Sequence, residues 1–293
     1  MKNIEKKISR RDFLGGSLAG VGSIALLGML KPEAIIASPS AGNAILYDST
    51  LCVGCKICEV FCRQANNLEG EGTSTDELSY NTWLKIGSTQ AGGGVGKVFT
   101  RHACMHCADA TCVKVCPTGS LYHHELGFVA YDKDLCSGCG YCVDFCPFDV
   151  PQCKRNLLTG VAEMAKCNFC LDLIAAGSEP ACVGACLIDA LTYGDRDELI
   201  ANGEKKVQTL KNKGYGNACL YGENELGGLR VMYVLKDTPE VSKLPTSPKV
   251  PMTATFWKNI VQPGGWMLGG LAMLGLGANY FIAKKNIKKG RGK

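Results

Sequence analysis

Four short runs along the chain carry mostly apolar side chains: AILYD (44–48), FVAYD (128–132), ALTYGD (190–195) and RVMYVL (230–235). Each is strand length, and the first three end in an acidic residue at a turn, so the pattern predicts four short β-strands. A different pattern closes the chain. Gly264 to Ala283, GGWMLGGLAMLGLGANYFIA, is 20 residues without a charge, the length a helix needs to span a bilayer. Residues 64–97 are rich in Gly, Ser and Thr, end near AGGGVG, and predict a surface excursion. Residues 236–259 hold four prolines and predict an extended linker.

Charge sharpens this picture at both ends. The net +5 divides into +3 over residues 1–12, +6 over the last ten, and −4 between them. The basic charge therefore sits in two flanking tags and builds no nucleic-acid surface. Lysines and an arginine follow Ala283 directly, and the positive-inside rule keeps residues 284–293 in the cytoplasm with everything before the span outside. The span is set at 260–283; a buried helix of a soluble domain is the other reading of the same run. Gly265 and Gly269 make a small-x-x-x-small face that suits packing against another membrane helix, with a lone lipid anchor as the alternative. At the other end, Ser9-Arg10-Arg11-Asp12-Phe13-Leu14 precedes a glycine-interrupted apolar run to Leu30. This resembles a twin-arginine export signal more than a membrane anchor. It sets the signal at 1–37, with cleavage after Ala37, although Ile35 fits the cleavage pattern poorly.

Cysteine changes the picture most. Eighteen cysteines stand in 293 residues, and sixteen fall into groups of four. The groups are Cys52, Cys55, Cys58, Cys62; Cys104, Cys107, Cys112, Cys116; Cys136, Cys139, Cys142, Cys146; and Cys167, Cys170, Cys182, Cys186. In C-x2-C-x2-C a tight loop wraps three thiolates round one corner of an iron–sulfur cubane. The following x3 step begins a helical turn and carries the fourth sulfur to a neighbouring cluster. Cys146 is therefore expected on a different cluster from Cys136, Cys139 and Cys142. Zinc knuckles do not explain a tight triplet with an offset fourth thiol. Disulfides do not fit so cramped a spacing.

The order and spacing of all four groups resemble the four-cluster ferredoxin-type electron-transfer subunits of membrane-bound bacterial respiratory enzymes. The resemblance covers roughly residues 44–283. It implies an α+β fold, a duplicated bacterial-type two-cluster ferredoxin domain over 44–235 with a strand-rich extension, and four [4Fe-4S] clusters. By the same resemblance the ligand sets are Cys52, Cys55, Cys58, Cys186; Cys62, Cys167, Cys170, Cys182; Cys104, Cys107, Cys112, Cys146; and Cys116, Cys136, Cys139, Cys142. Cys112 stands where some relatives have tryptophan and a three-iron cluster, while Arg63 and Leu187 replace a following proline. ILYDSTLCVGC (45–55) and LYGENELGG (220–228) are similar to the iron–sulfur subunit of periplasmic membrane-bound [NiFe] hydrogenases. The implied partners are that catalytic subunit and a polytopic quinone-interacting membrane subunit. A formate dehydrogenase-like molybdopterin enzyme or a cytochrome-linked quinone oxidoreductase is the alternative, and a structural zinc protein a remote one.

No nucleophile, acid–base pair or phosphate loop makes the chain catalytic alone; GGGVG (92–96) lacks the Walker lysine and reads as a loop. Gly54, Gly138 and Gly140 are expected to let backbone amides approach sulfur. Val53, Ile57, Val113, Tyr141 and Phe145 are expected to keep water off the clusters. His106 reads as an ordinary polar residue before it reads as a cluster-tuning one. His102, His123 and His124 read as surface residues. Cys153 and Cys219 fall outside the spacing and read as buried free thiols rather than ligands, with a disulfide between them conceivable after export.

Overall fold

The structure, a computed structural model, describes residues 42–68, 77–90, 96–156 and 162–290. The expected export signal (1–37) and most of AGGGVG lie outside the described residues. All four strands read from the sequence are present. Strand β1 (Asn43–Asp48) runs parallel to a strand at Val231–Leu235, with Ile45 opposite Val231 and Tyr47 opposite Tyr233. Strands at Leu191–Asp195 and Cys219–Tyr221 add antiparallel on the two outer sides, giving one four-stranded sheet.

The two central strands are buried on both faces, which is why they read as apolar runs with no alternation. One face presents Ile45, Tyr47, Val231, Tyr233 and Leu235 to the cysteine-bearing loops. The other presents Ala44, Leu46, Met232 and Val234 to a helix at Arg196–Asn212, which contributes Leu199 and Val207. Each aliphatic side chain so buried contributes about 1.5–3 kcal/mol. The helix lies close because it carries Gly203 at the contact, where a Cβ would stand 2.7 Å from Leu220 Cδ1. Its start is fixed by Asp195, whose Oδ1 accepts from the amides of Asp197 (2.9 Å) and Glu198 (3.2 Å). Asp195→Ala is expected to cost about 1 kcal/mol, read as a fall in Tm of about 2–4 °C.

The cysteine-bearing part hangs below this sheet on short elements. In chain order they are α1 (Ile57–Ala65), β2 (Leu84–Gln90), β3 (Lys97–Ala103), α2 (Thr111–Val115), β4 (Leu121–His123), β5 (Val129–Tyr131), α3 (Tyr141–Asp144), β6 (Gln152–Arg155), β7 (Ala162–Ala165), α4 (Leu171–Ala175) and α5 (Ala181–Gly184). The strands named above close the sequence as β8 (Leu191–Asp195), β9 (Cys219–Tyr221) and β10 (Val231–Leu235), with α6 (Arg196–Asn212) after β8. Helix α1 packs on α5, and α2 on α3.

Two expectations are corrected here. The Gly/Ser/Thr-rich stretch 64–97 does not stay outside the core. Its second half enters β2, which pairs with β3 over its full length from Leu84–Ala103 to Gln90–Lys97. Leu84 and Ile86 are buried, and the Ile86 amide donates to Glu59 Oε1 of α1 at 2.6 Å. The proline-rich tract is also not a free linker. Thr89 Oγ1 donates to the Val241 carbonyl (2.7 Å), Tyr221 donates to that of Pro245 (2.9 Å), and Leu244 is buried. The apolar side chains between the prolines pin the tract to the domain.

Helix begins again at α7 (Met252–Phe256), widens to a π turn at Trp257–Val261, and continues as α8 (Gln262–Gly290). Pro263 has no amide to donate, and the wider turn stands just before it. Met252–Lys284 is long and apolar enough to cross a membrane, with mean hydropathy 1.4 and none of its apolar window buried in the protein. At 1.5 Å per residue these 33 residues reach about 50 Å, well beyond a hydrocarbon core of about 30 Å. The surplus lies at the start, where Ala254 is buried and α7 packs on α2.

Candidate metal centres

One backbone feature recurs in every cysteine group. The second residue after the first cysteine is left-handed: Gly54 (φ 72), His106 (φ 48), Gly138 (φ 68) and Phe169 (φ 61). A second left-handed residue then precedes the helix in three of the four, namely Lys56, Gly140 and Cys170. Such a turn brings the second thiol back beside the first and points successive amides into the concavity, a known way to build an anion pocket. Gly54 and Gly138 also allow close approach. A Cβ on Gly54 would fall 2.3 Å from the Phe99 ring, and one on Gly138 would fall 2.1 Å from the Ala162 carbonyl oxygen. His106 and Phe169 hold the same conformation at a cost of about 1–2 kcal/mol each. Both are buried and their rings meet edge to face at 4.8 Å.

The loops bring distant thiols together. Cys116 lines one cavity with Cys136, Cys139 and Cys142, floored by Leu121 and Met164. Cys146 is not among them. It lies with the preceding group: burial pushes the Cys107 thiol well up, and the thiols of Cys104, Cys112 and Cys146 push it further. Burial raises Cys112 to about 12 and Cys146 to about 11. Cys62 is likewise raised by burial and then by Cys167, Cys182 and Cys170. Cys170 is raised to about 11 by burial and then by Cys167. Cys52, Cys58 and Cys186 share the main core, with Cys58 pushed up to about 12 by burial and then by Cys182. Cys55, the remaining thiol of that loop, is exposed at the rim.

The four sets form a row. Cys58 beside Cys182 links the first to the second. Cys104 beside Cys167 links the second to the third, and Cys112 beside Cys142 links the third to the fourth.

The surroundings fit sulfur-rich anions. Arg101 Nε and Nη1, His106 Nε2, Thr111 Oγ1 and the Tyr131 hydroxyl are buried without a protein partner. Each can donate a hydrogen bond, and an unmet buried donor costs about 1–3 kcal/mol. His106 Nδ1 accepts from the Val129 amide (3.2 Å), so the proton sits on Nε2. Burial, then the charges of Lys166 and Arg101, hold this imidazole well below its usual range and therefore neutral. Acceptors on cluster sulfide and thiolate would satisfy such donors. Among the described residues no three His, Cys, Asp or Glu side chains converge on a single ion.

A 4Fe-4S dicluster domain matches residues 95–196. The chain is 30% identical to the formate dehydrogenase iron-sulfur subunit of Haemophilus influenzae, over 94% of this chain and 93% of that one. It is 32% identical to hydrogenase-2 operon protein HybA of Escherichia coli O157:H7, over 91% and 94%. It is 40% identical to the thiosulfate reductase electron transfer subunit PhsB of Salmonella typhi, over 62% and 92%. The chain belongs to the iron–sulfur electron-transfer subunits of respiratory oxidoreductases.

Several residues around the centres of this iron–sulfur subunit carry no spacing signal. Arg101 and Lys166 are buried cations among the thiols. The Lys166 ammonium donates to the carbonyls of Val129 (2.7 Å) and Cys167 (2.9 Å). Cys153 is exposed and not buried as expected; it stands opposite Met164 in the β6–β7 pair and so shares the face of a residue that lines the cavity. Burial raises the Cys142 thiol, and Cys153 is the next largest cause, ahead of Cys112 and Cys139. Cys219 lies elsewhere, on β9, with its sulfur 3.8 Å from the Asp237 carbonyl; the two thiols are not bonded to each other. Two further expectations are corrected. Val53 is 61% exposed and shields nothing. His102 is half-buried within β3, and burial lowers its pKa.

Proposed function

We propose that the subunit holds four [4Fe-4S] clusters on the sixteen grouped cysteines. It would relay electrons between a periplasmic catalytic subunit and a quinone-reactive membrane subunit, with no catalytic site of its own. The observation that carries this reading is the row of four thiol sets with unlike ends. At one end Tyr141 and Phe145, in the loop of the fourth set, share a groove with Met252 and Phe256 at the foot of the apolar helix. At the other end Leu51, Val53, Phe61 and Leu187 are exposed apolar side chains around the first set. Singly scattered apolar residues need no explanation, but a patch beside a redox centre suits a protein partner.

When bound, the clusters supply one-electron storage over a wide range of potentials. The chain's own share is to hold them and to keep water out. Buried Ala103, Met105, Val115 and Phe128 do the latter. We propose export by the twin-arginine route, the span 260–283 as membrane anchor and residues 284–293 as its cytoplasmic tail. The domain limits 44–235 and 236–259 belong to the same reading, with the latter tract docked on the domain.

The first catalytic partner to test is an [NiFe] hydrogenase, supported by the similarity to HybA over nearly the whole chain. A formate dehydrogenase is the second, supported by equal coverage of its iron–sulfur subunit. Metal analysis of the complex pulled from detergent-solubilised membranes separates them. Nickel in stoichiometric amount supports the hydrogenase. Molybdenum or tungsten without nickel supports the formate dehydrogenase-like enzyme. Absence of iron and acid-labile sulfide rejects the whole reading.

A further inference from the structure

Arg101 is the largest fully buried side chain of the described residues, with 1% of its surface exposed. It sits on β3, in the strand pair the sequence did not announce. Among the described residues no carboxylate pairs with it. Its backbone carbonyl accepts from the Tyr233 hydroxyl at 2.9 Å. Its Nε and Nη1 meet no protein acceptor. A buried guanidinium always carries its charge, and an uncompensated charge is not left in a protein interior. The groups around it are thiols and the Tyr233 ring. The Cys182 thiol, the Tyr233 hydroxyl and the Cys167 thiol favour its charge, in that order, and that charge in turn offsets part of the effect of burial on Cys58, Cys62 and Cys104. Its charge opposes the effect of burial on the Cys182 thiol.

Lys166 makes the contrast. It is equally buried, but its ammonium is taken up by two carbonyls. Arg101 has donors left over, and they face the place where the second set of thiols converges.

We propose that Arg101 is the fixed counter-charge of the cluster held by Cys62, Cys167, Cys170 and Cys182, and that it raises that cluster's reduction potential. The proposal rests on the proposed function, with these four thiols as one of its ligand sets. The reduced cluster carries one more negative charge than the oxidised one, so a cation and its hydrogen bonds at the sulfurs favour reduction. Burial alone acts the other way, because it disfavours the more highly charged form.

The test is a potentiometric titration followed by electron paramagnetic resonance, on the complex purified without oxygen. Wild type is counted first: about sixteen irons with matching sulfide are required, and a failure there falls on the ligand reading and not on Arg101. In Arg101→Gln, one of the four reduction steps is expected to lose at least tenfold in its equilibrium, about 59 mV for one electron. The other three should move less, and Arg101→Lys should recover most of the loss. Unchanged potentials in a fully loaded Arg101→Gln protein, or an equal shift in all four, overturn the proposal. If Arg101→Gln instead loses iron, loss of one cluster that Arg101→Lys retains supports the charge requirement. Loss of that cluster in both variants, or of all four in Arg101→Gln, overturns it.

Discussion

Cys146→Ser will empty the site of Cys104, Cys107 and Cys112 and spare the cavity of its own loop. Iron should fall by about four per chain, and the resonance signals of three clusters should remain. The reason is geometric. Cys146 follows Cys142 at the end of the turn begun by α3 (Tyr141–Asp144), and its sulfur emerges on the side of Cys104. Its former neighbours Cys136, Cys139 and Cys142 are completed by Cys116 from the preceding group. Cys116→Ser is the reciprocal case and should remove the fourth cluster. A Cys146→Ser protein that lost only the cluster of Cys136 would refute the exchange of thiols between loops.

Gly138→Ala will abolish the fourth cluster, whereas Gly140→Ala, two residues away, will keep it. Both glycines are left-handed, at φ 68 and φ 85, so alanine costs each about 1–2 kcal/mol in backbone conformation. They differ in what surrounds them. Nothing lies within 4 Å of a Cβ on Gly140. A Cβ on Gly138 would stand 2.1 Å from the Ala162 oxygen and 2.7 Å from its carbon. That carbonyl cannot retreat alone, because Ala162 pairs with Arg155 in the β6–β7 hairpin, and Met164 of the same strand lines the cavity. The hairpin must move off the site and admit water. Iron content and the resonance spectrum of the two variants decide the matter; equal loss in both would show that the backbone conformation alone is at stake.

Much of this was legible because cysteine spacing is a direct code for loop geometry. The four strands were legible because short apolar runs between turns have few other uses. Strand pair β2–β3 was not, although LKIGSTQ and KVFTRHA flank a glycine-rich turn as hairpin strands do. The Gly, Ser and Thr around them dominated the composition, and only Leu84 and Ile86 of β2 are buried apolar residues, with the buried Lys85 between them. Helix α6 was also missed. Its apolar positions are interrupted by Gly203, whose purpose is visible only against Leu220. Arg101 could not be read at all, since an arginine on a mixed strand has no spacing that separates an interior from a surface position. His106 was read as ordinary for the same reason. Its role in the backbone appears only when its φ is set beside those of Gly54, Gly138 and Phe169.

The parallel pairing of β1 with β10 joins residue 45 to residue 231 at the centre of the sheet. A nascent chain leaving the ribosome therefore carries every cysteine group before it owns the strand that closes the core above them. Contacts this far apart in sequence are slow to form. On the proposed ligand sets, the first site also waits for Cys186, and the second for Cys167 to Cys182, and cluster insertion is expected on a nearly finished chain. A protein cut short before Val231 would lose the platform on which Cys52, Cys58, Cys62, Cys182 and Cys186 pack, and not merely its C-terminal end.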